Sequence, residues 1–268
     1  MKANLKKYLA IYTLSIKDSI TYRNEMMVWA ILEATPVFTT MILWLTIFSE
    51  RAQIGGFNQQ TIISYFLIGH IFSQLTASHF EEYAVTQIQR GEYNKYFIKP
   101  FSVKLYHTIG QLGWRVMTIF SSVLPVITIA LLSVGNFFPP ISITNLLFLP
   151  FFYFLSYFFE STISLMIIAM GFIFEQAKSF RHAKWMLGWI FSGSMIPLEL
   201  MPKWLSNLSS FLPFQYGFHV PVQLVLGRIP ISDLPSILLK GCIWLIVFYL
   251  AMSLLWKKNL KKYSAVGG

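Results

Sequence analysis

Apolar residues in this chain gather in six long blocks, at 26–48, 61–80, 116–134, 146–173, 185–201 and 235–256. A helix that crosses a bilayer needs about 20 mostly apolar residues, so each block predicts one transmembrane helix. The fourth block exceeds that length and carries Pro150 near its start and Glu160 in its middle. It is expected to tilt, break or protrude instead of standing as a plain lipid-facing rod. The fifth is short, and Pro197 is expected to end or kink it.

The segments between the blocks differ in kind. In the first 25 residues Leu5, Leu9, Tyr12, Ile16 and Ile20 recur at helical spacing, with Lys6, Lys7, Lys17 and Asp18 mostly elsewhere around the helix. That pattern predicts a helix lying in the membrane interface or packed, solvated, on the protein. Its uncharged run is short and no small-residue cleavage site follows, so it does not read as a cleaved leader. Residues 81–115 form a loop too long for a simple helical hairpin. Residues 202–234 are amphiphilic, with Trp204, Leu208, Phe211, Phe214 and Tyr216 among serines and prolines, and predict short helices dipping into one leaflet.

Composition agrees with the blocks. Of 268 residues 55% are hydrophobic and only 12% charged, against ~25% charged in an ordinary soluble domain. The spans nearly exhaust the length, so the chain reads as one all-α polytopic domain over 1–268. The net charge is +10. Lys and Arg flank the apolar blocks instead of forming one face, which points to a membrane surface and away from nucleic acid. With the N-terminus inside, 17 of the 21 Lys and Arg fall in cytoplasmic segments, and Arg51, Lys203, Arg228 and Lys240 fall outside. The asymmetry predicts cytoplasmic termini at both ends. Cys242 stands alone, which excludes an internal disulfide framework.

Phosphate-loop, zinc-protease, nucleophile-elbow and dinucleotide motifs are all absent from the sequence. Neither catalytic residues nor a metal set are expected, since the five histidines show no ligand spacing. What remains is intramembrane polarity. Glu33 and Glu160 lie within spans, where an ionisable group is a functional candidate or a packing device. His70, Gln74 and Ser78 follow at i+4 spacing, one stripe that lines a wet path or knits two helices. No acidic relay or broken-helix pair suggests a self-sufficient pump; an outside energy source fits better. In the loop, the run Thr86 to Pro100 has a helix-compatible opening, with Gly91 as its stop or turn and Pro100 ending a second amphiphilic piece.

Several segments together resemble the type-2 ABC exporter permeases, in particular compact six-span bacterial members served by a separate ATPase. They are IQRGEYNKYFIKP at 88–100 with Gln87 before it, FSGSMIPLELMPKWL at 191–205, LPFQY at 212–216 with Pro221 and Gly227, and KKYSAVGG at 261–268. The resemblance implies a connecting helix at 1–25, a coupling helix within 86–100 and an outer re-entrant hairpin at 202–228. It places Gln87, Arg90, Gly91, Glu92, Tyr93, Tyr96, Lys99 and Pro100 against the ATPase, with Gly91 and Pro100 the clearest matches. It also implies two ATP-binding subunits carrying ATP and Mg, no cofactor in this chain, and a second permease, the same or related, in a bacterial cytoplasmic membrane. Glu33, His70, Gln74, Ser78 and Glu160 would be translocation-path candidates. Aromatic spans suit an amphiphilic or lipophilic small molecule, such as a drug, toxin, peptide or lipid. Two other classes stay open: a membrane-embedded lipid-modifying enzyme using Glu33, His70 and Glu160, and a scaffold that transports nothing.

Overall fold

The computed structural model describes residues 2–133, 145 and 147–263. The expected end of the third span at 134, the start of the fourth at 146 and the tail 264–268 lie outside the described residues. The described residues are mostly helical and form no strand; an isolated bridge joins Ile54 to Phe57.

Helix α1 (Lys2–Thr21) buries Ile11, Ser15 and Ser19 and leaves Leu5, Leu9, Leu14 and Ile20 exposed. Its buried face meets α5 (Val103–Thr118) at Gly113. A Cβ on Gly113 would lie 2.6 Å from the Ser15 Cβ and 2.8 Å from the Tyr12 carbonyl, so the close crossing needs glycine. A turn at Tyr22 leads into α2 (Arg23–Ser49), which buries only Ala30, Trp44 and Phe48. Helix α3 (Gln59–Thr76) begins with a capping box: Thr61 N–H donates to the Asn58 side chain at 2.8 Å, and Asn58 N–H to Thr61 Oγ1 at 2.9 Å.

After a break at Ala77–His79 comes α4 (Phe80–Gln89), then a 3₁₀ turn at Glu92–Tyr96. Helix α5 continues through a single π turn, Ile119–Val123, into α6 (Leu124–Ser133). The central helix is α7 (Leu149–Gly171), which buries thirteen residues and packs on α11, α4 and α3. Then follow α8 (Lys178–Phe191), α9 (Lys203–Phe211), α10 (His219–Val225) and α11 (Leu234–Leu260).

Three helices, α2, α7 and the 30-residue stretch Ile231–Leu260 that contains α11, are long and apolar enough to cross a membrane. They fall on the expected blocks 26–48, 146–173 and 235–256. Elsewhere the boundaries move. Helix formation starts at Val103, not 116, because Lys104, His107, Gln111 and Arg115 are helix-compatible on an amphipathic face. The fifth block, 185–201, is not one helix. It stops at Phe191, before Pro197, where Gly193 takes φ 85°, and a 3₁₀ turn at Leu198–Leu200 follows. The 14 residues of α8 extend roughly 21 Å at 1.5 Å per residue. Helix α3 ends at Thr76, so Ser78 leaves the helical stripe expected with His70 and Gln74.

Candidate functional site

The loop joining α3 to α5 folds as α4, a left-handed turn at Gly91 (φ 72°) and the 3₁₀ turn. The positive φ at Gly91 reverses the chain where another residue would be strained. The structure divides the eight residues expected to couple to an ATPase. Gln87, Tyr93 and Tyr96 are buried, whereas Arg90, Glu92, Lys99 and Pro100 are exposed and Gly91 is half-buried. The most exposed large apolar side chain of the loop is Ile98, at 85%.

The buried residues fasten the loop to the helices behind it. Tyr93 Oη and His107 Nε2 share a hydrogen bond of 2.9 Å. The Tyr93 ring also packs on Phe172, and Tyr96 on Tyr106 with ring centroids 5.1 Å apart. Phe172 in turn meets Trp256 of α11 at 5.1 Å. From α1, Lys7 Nζ donates to the Pro100 carbonyl, and Tyr8 Oη accepts from Ser102 N–H at 3.4 Å. Burial holds the His107 imidazole neutral, its pKa pushed down to about 3. Burial likewise pushes the Tyr93 phenol well up.

Behind α4 lies an ion cluster. Lys184 Nζ on α8 sits 3.2 Å from Glu81 and 3.1 Å from Glu160 on α7, and donates to Ser164 Oγ at 2.9 Å and the Ser78 carbonyl at 2.7 Å. Beside it Arg181 pairs with Glu82 at 2.7 Å at the surface. Glu81 is 1% exposed. Burial opposes its ionisation, but Lys184, helped by His79 and hydrogen bonds, overrides this and holds the carboxyl below its ordinary range.

Four of the five path candidates fall into two pairs. Glu33 on α2 is hydrogen-bonded to the Gln74 side chain in the field of Arg115. Arg115, buried on α5, donates from Nη1 to the Gln74 carbonyl at 2.8 Å. Glu160 and Ser78 meet at Lys184 instead. His70 joins neither group and is buried within α3. Sequence reasoning missed Arg115, Lys184 and Glu81, which it counted only as loop or flanking charges. The one available signal was the position of Lys184 at the edge of an apolar block. Among the described residues no cluster of His, Cys, Asp and Glu could hold a metal.

A second polar cluster lies at the other end of α3. Tyr65 Oη donates to the Gly193 carbonyl at 2.9 Å and lies 3.1 Å from His219 Nδ1. His219 N–H donates to the Ser192 carbonyl at 3.1 Å, and its Nε2 is 3.7 Å from Glu199. Gln223 donates to the same carboxylate. Arg228 donates to the Gly56 carbonyl at 2.9 Å, and its guanidinium lies 4.0 Å from the Phe57 ring centre.

No curated protein matches the chain. The profile of the ABC-2 family transporter proteins matches residues 34–267. That match takes in most of α2, all of α7 and α11, the fastened loop and both polar clusters, and permeases of this family are membrane transport subunits that work with ATP-binding subunits. With apolar helices of membrane length and a match over most of its residues, the chain belongs to the ABC-2 family of transporter proteins.

Proposed function

We propose that the chain is the permease subunit of an ATP-driven exporter, moving an amphiphilic or lipophilic small molecule outward across a bacterial cytoplasmic membrane. In this reading 1–268 is one transmembrane domain of six spans with both termini cytoplasmic. Helix α1 is the interfacial connecting helix, α4 with its 3₁₀ turn the coupling element, and 202–234 the outer re-entrant segment. A second permease completes the path, and two ATP-binding subunits carry ATP and Mg.

The observation that supports this best is the division of the loop. Buried Tyr93 and Tyr96 pack the loop onto α5 and onto Phe172 at the end of α7, and Pro100 and Ser102 bond to α1, while the side chains of Arg90, Glu92, Lys95, Ile98 and Lys99 are exposed on its outer rim. A rim anchored in this way suits a groove on a soluble partner, and its displacement reaches the helices without loss in a soft linker. ATP acts here as a ligand that binds two states of the partner differently, which is what can shift the equilibrium. Lys184 adds a second route, because it ties the start of α4 to α7 and α8.

The test is co-purification of the chain with a candidate ATP-binding subunit, followed by hydrolysis in nanodiscs. Arg90→Glu and Ile98→Asp should lower coupled hydrolysis at least tenfold, as hot-spot losses of ~1.4 kcal/mol or more imply. The thermal stability of the chain alone should stay unchanged. Intact assembly and hydrolysis in both variants would overturn the assignment of the rim.

A further inference from the structure

We propose that the exposed face of α11 seats a glycerophospholipid with an anionic headgroup, its acyl chain along an apolar stripe and its phosphate among Lys257, Lys258, Lys261 and Lys262. The stripe is Leu239, Ile243, Val247, Leu250 and Leu254, exposed by 63%, 52%, 48%, 57% and 71%. These positions follow at spacings of 4, 4, 3 and 4, one side of a helix. The same spacing carries on without a break to Lys258 and Lys261, with Lys257 and Lys262 beside them. All four lysines are exposed.

The rotation of the helix end is fixed from the opposite side. Met252, Trp256 and Asn259 are buried, and Asn259 Nδ2 donates to the Ala169 carbonyl at 2.9 Å. Tyr263 packs on Phe172 with ring centroids 5.3 Å apart. The lysines therefore keep to the face of the stripe. After Asp233 the sequence contains no acidic residue, and among the described residues none of the four lysines forms an ion pair. From Leu239 to Leu254 the stripe runs roughly 22 Å, longer than the ~15 Å of hydrocarbon in one leaflet. An acidic soluble partner would match the charge and leave the apolar stripe unexplained. A phospholipid matches both parts in the order they occur.

Near an anionic surface each lysine contributes roughly fivefold to association, so four acting together should be plain to read. The purified full chain is offered equal phosphatidylglycerol and phosphatidylcholine in mixed micelles, and retained lipid is counted by native mass spectrometry. Phosphatidylglycerol should be enriched at least tenfold. In the variant with all four lysines changed to glutamine the enrichment should fall to within twofold, and with all four changed to arginine it should persist. Lys6→Gln with Lys17→Gln, on α1, should lower it by far less than the four-lysine change does. Should the glutamine variant fail to insert, raising salt from about 0.1 to 0.5 M must erase the enrichment in the unaltered chain, since surface charge is screened. No enrichment, enrichment that survives the glutamine changes or high salt, or displacement of the lipid by an ATP-binding subunit would overturn the proposal.

Discussion

The two ends of α3 are held in different ways. Past its C-terminus, α4, α7 and α8 are joined by side-chain charges: Glu81 and Glu160 on Lys184, and Glu82 on Arg181. Near its N-terminus the segments around residues 192 and 219–228 are joined mainly by side chains bonding to main-chain carbonyls, Tyr65 to Gly193 and Arg228 to Gly56. A backbone carbonyl is a fixed acceptor in a fixed direction. A buried charge that loses its partner, by contrast, is strongly destabilised. The first end therefore depends on a few side chains, and the second on the path of its backbone.

The contrast is broken most severely at Lys184. Lys184→Met leaves Glu81 buried without its cation, at a cost of about 3–5 kcal/mol, and a large fall in melting temperature is expected in detergent. Adding Glu81→Gln should recover most of that loss, while Glu81→Gln does nothing for any variant at the other end. Acid, in contrast, weakens the anchor of the loop at His107 and the second end at His219. Burial pushes His107 down to about 3 and His219 down to about 4. Below the ordinary imidazole value of about 6.5 the unfolded chain takes up protons that the folded chain refuses. Stability is then full above that pH and falls as pH drops toward the folded values, by about 1.4 kcal/mol per unit for each group. A loss of about 2–3 kcal/mol per histidine by pH 4.5 follows, and His107→Phe should remove its share from a melting series in pH.

The backbone-held end is tested by Gly193→Ala. The φ of 85° is strained for alanine, and its Cβ would lie 2.6 Å from Tyr65 Oη; a cost of about 2 kcal/mol is expected. A melting temperature equal to that of the unaltered chain would show that this backbone path is not what holds the end together. The smallest effect belongs to Arg181→Gln. Its pair with Glu82 is 35% and 52% exposed, and such pairs contribute less than about 1 kcal/mol. A loss as large as that from Lys184→Met would mean the two pairs act as one unit.

How much of this was legible follows from the same physics. Long apolar runs name their helices, and α2, α7 and α11 lie where the runs do. Gly91 stops α4 as its residue type implies. The fifth block misled because apolar content was read past the SGS at 192–194, where Gly193, and not Pro197, turns the chain. The loop charges misled in the other direction, since Lys104 and Arg115 sit within a helix whose buried face accepts Arg115 through a carbonyl bond. Partners were illegible altogether. Glu81 and Lys184 are 103 residues apart, and no local pattern assigns one to the other. Of the candidate site the loop was foreseen. Its division into an anchored inner side and a free rim was not, because a Tyr or Gln in an amphiphilic loop reads the same buried or exposed.

The π turn at Ile119–Val123 carries a consequence of its own. A π turn holds one residue more than the α turn it replaces, so it works as a phase shifter, advancing all that follows by about 100° around the helix axis. The side of α5 that presents Arg115 to α3 is thereby uncoupled from the side that α6 presents. Deleting one residue within 119–123 would replace the π-type hydrogen bonds by α-type ones and keep the helix continuous while turning α6 out of register. Helicity by circular dichroism would be preserved and the packing beyond Val123 lost.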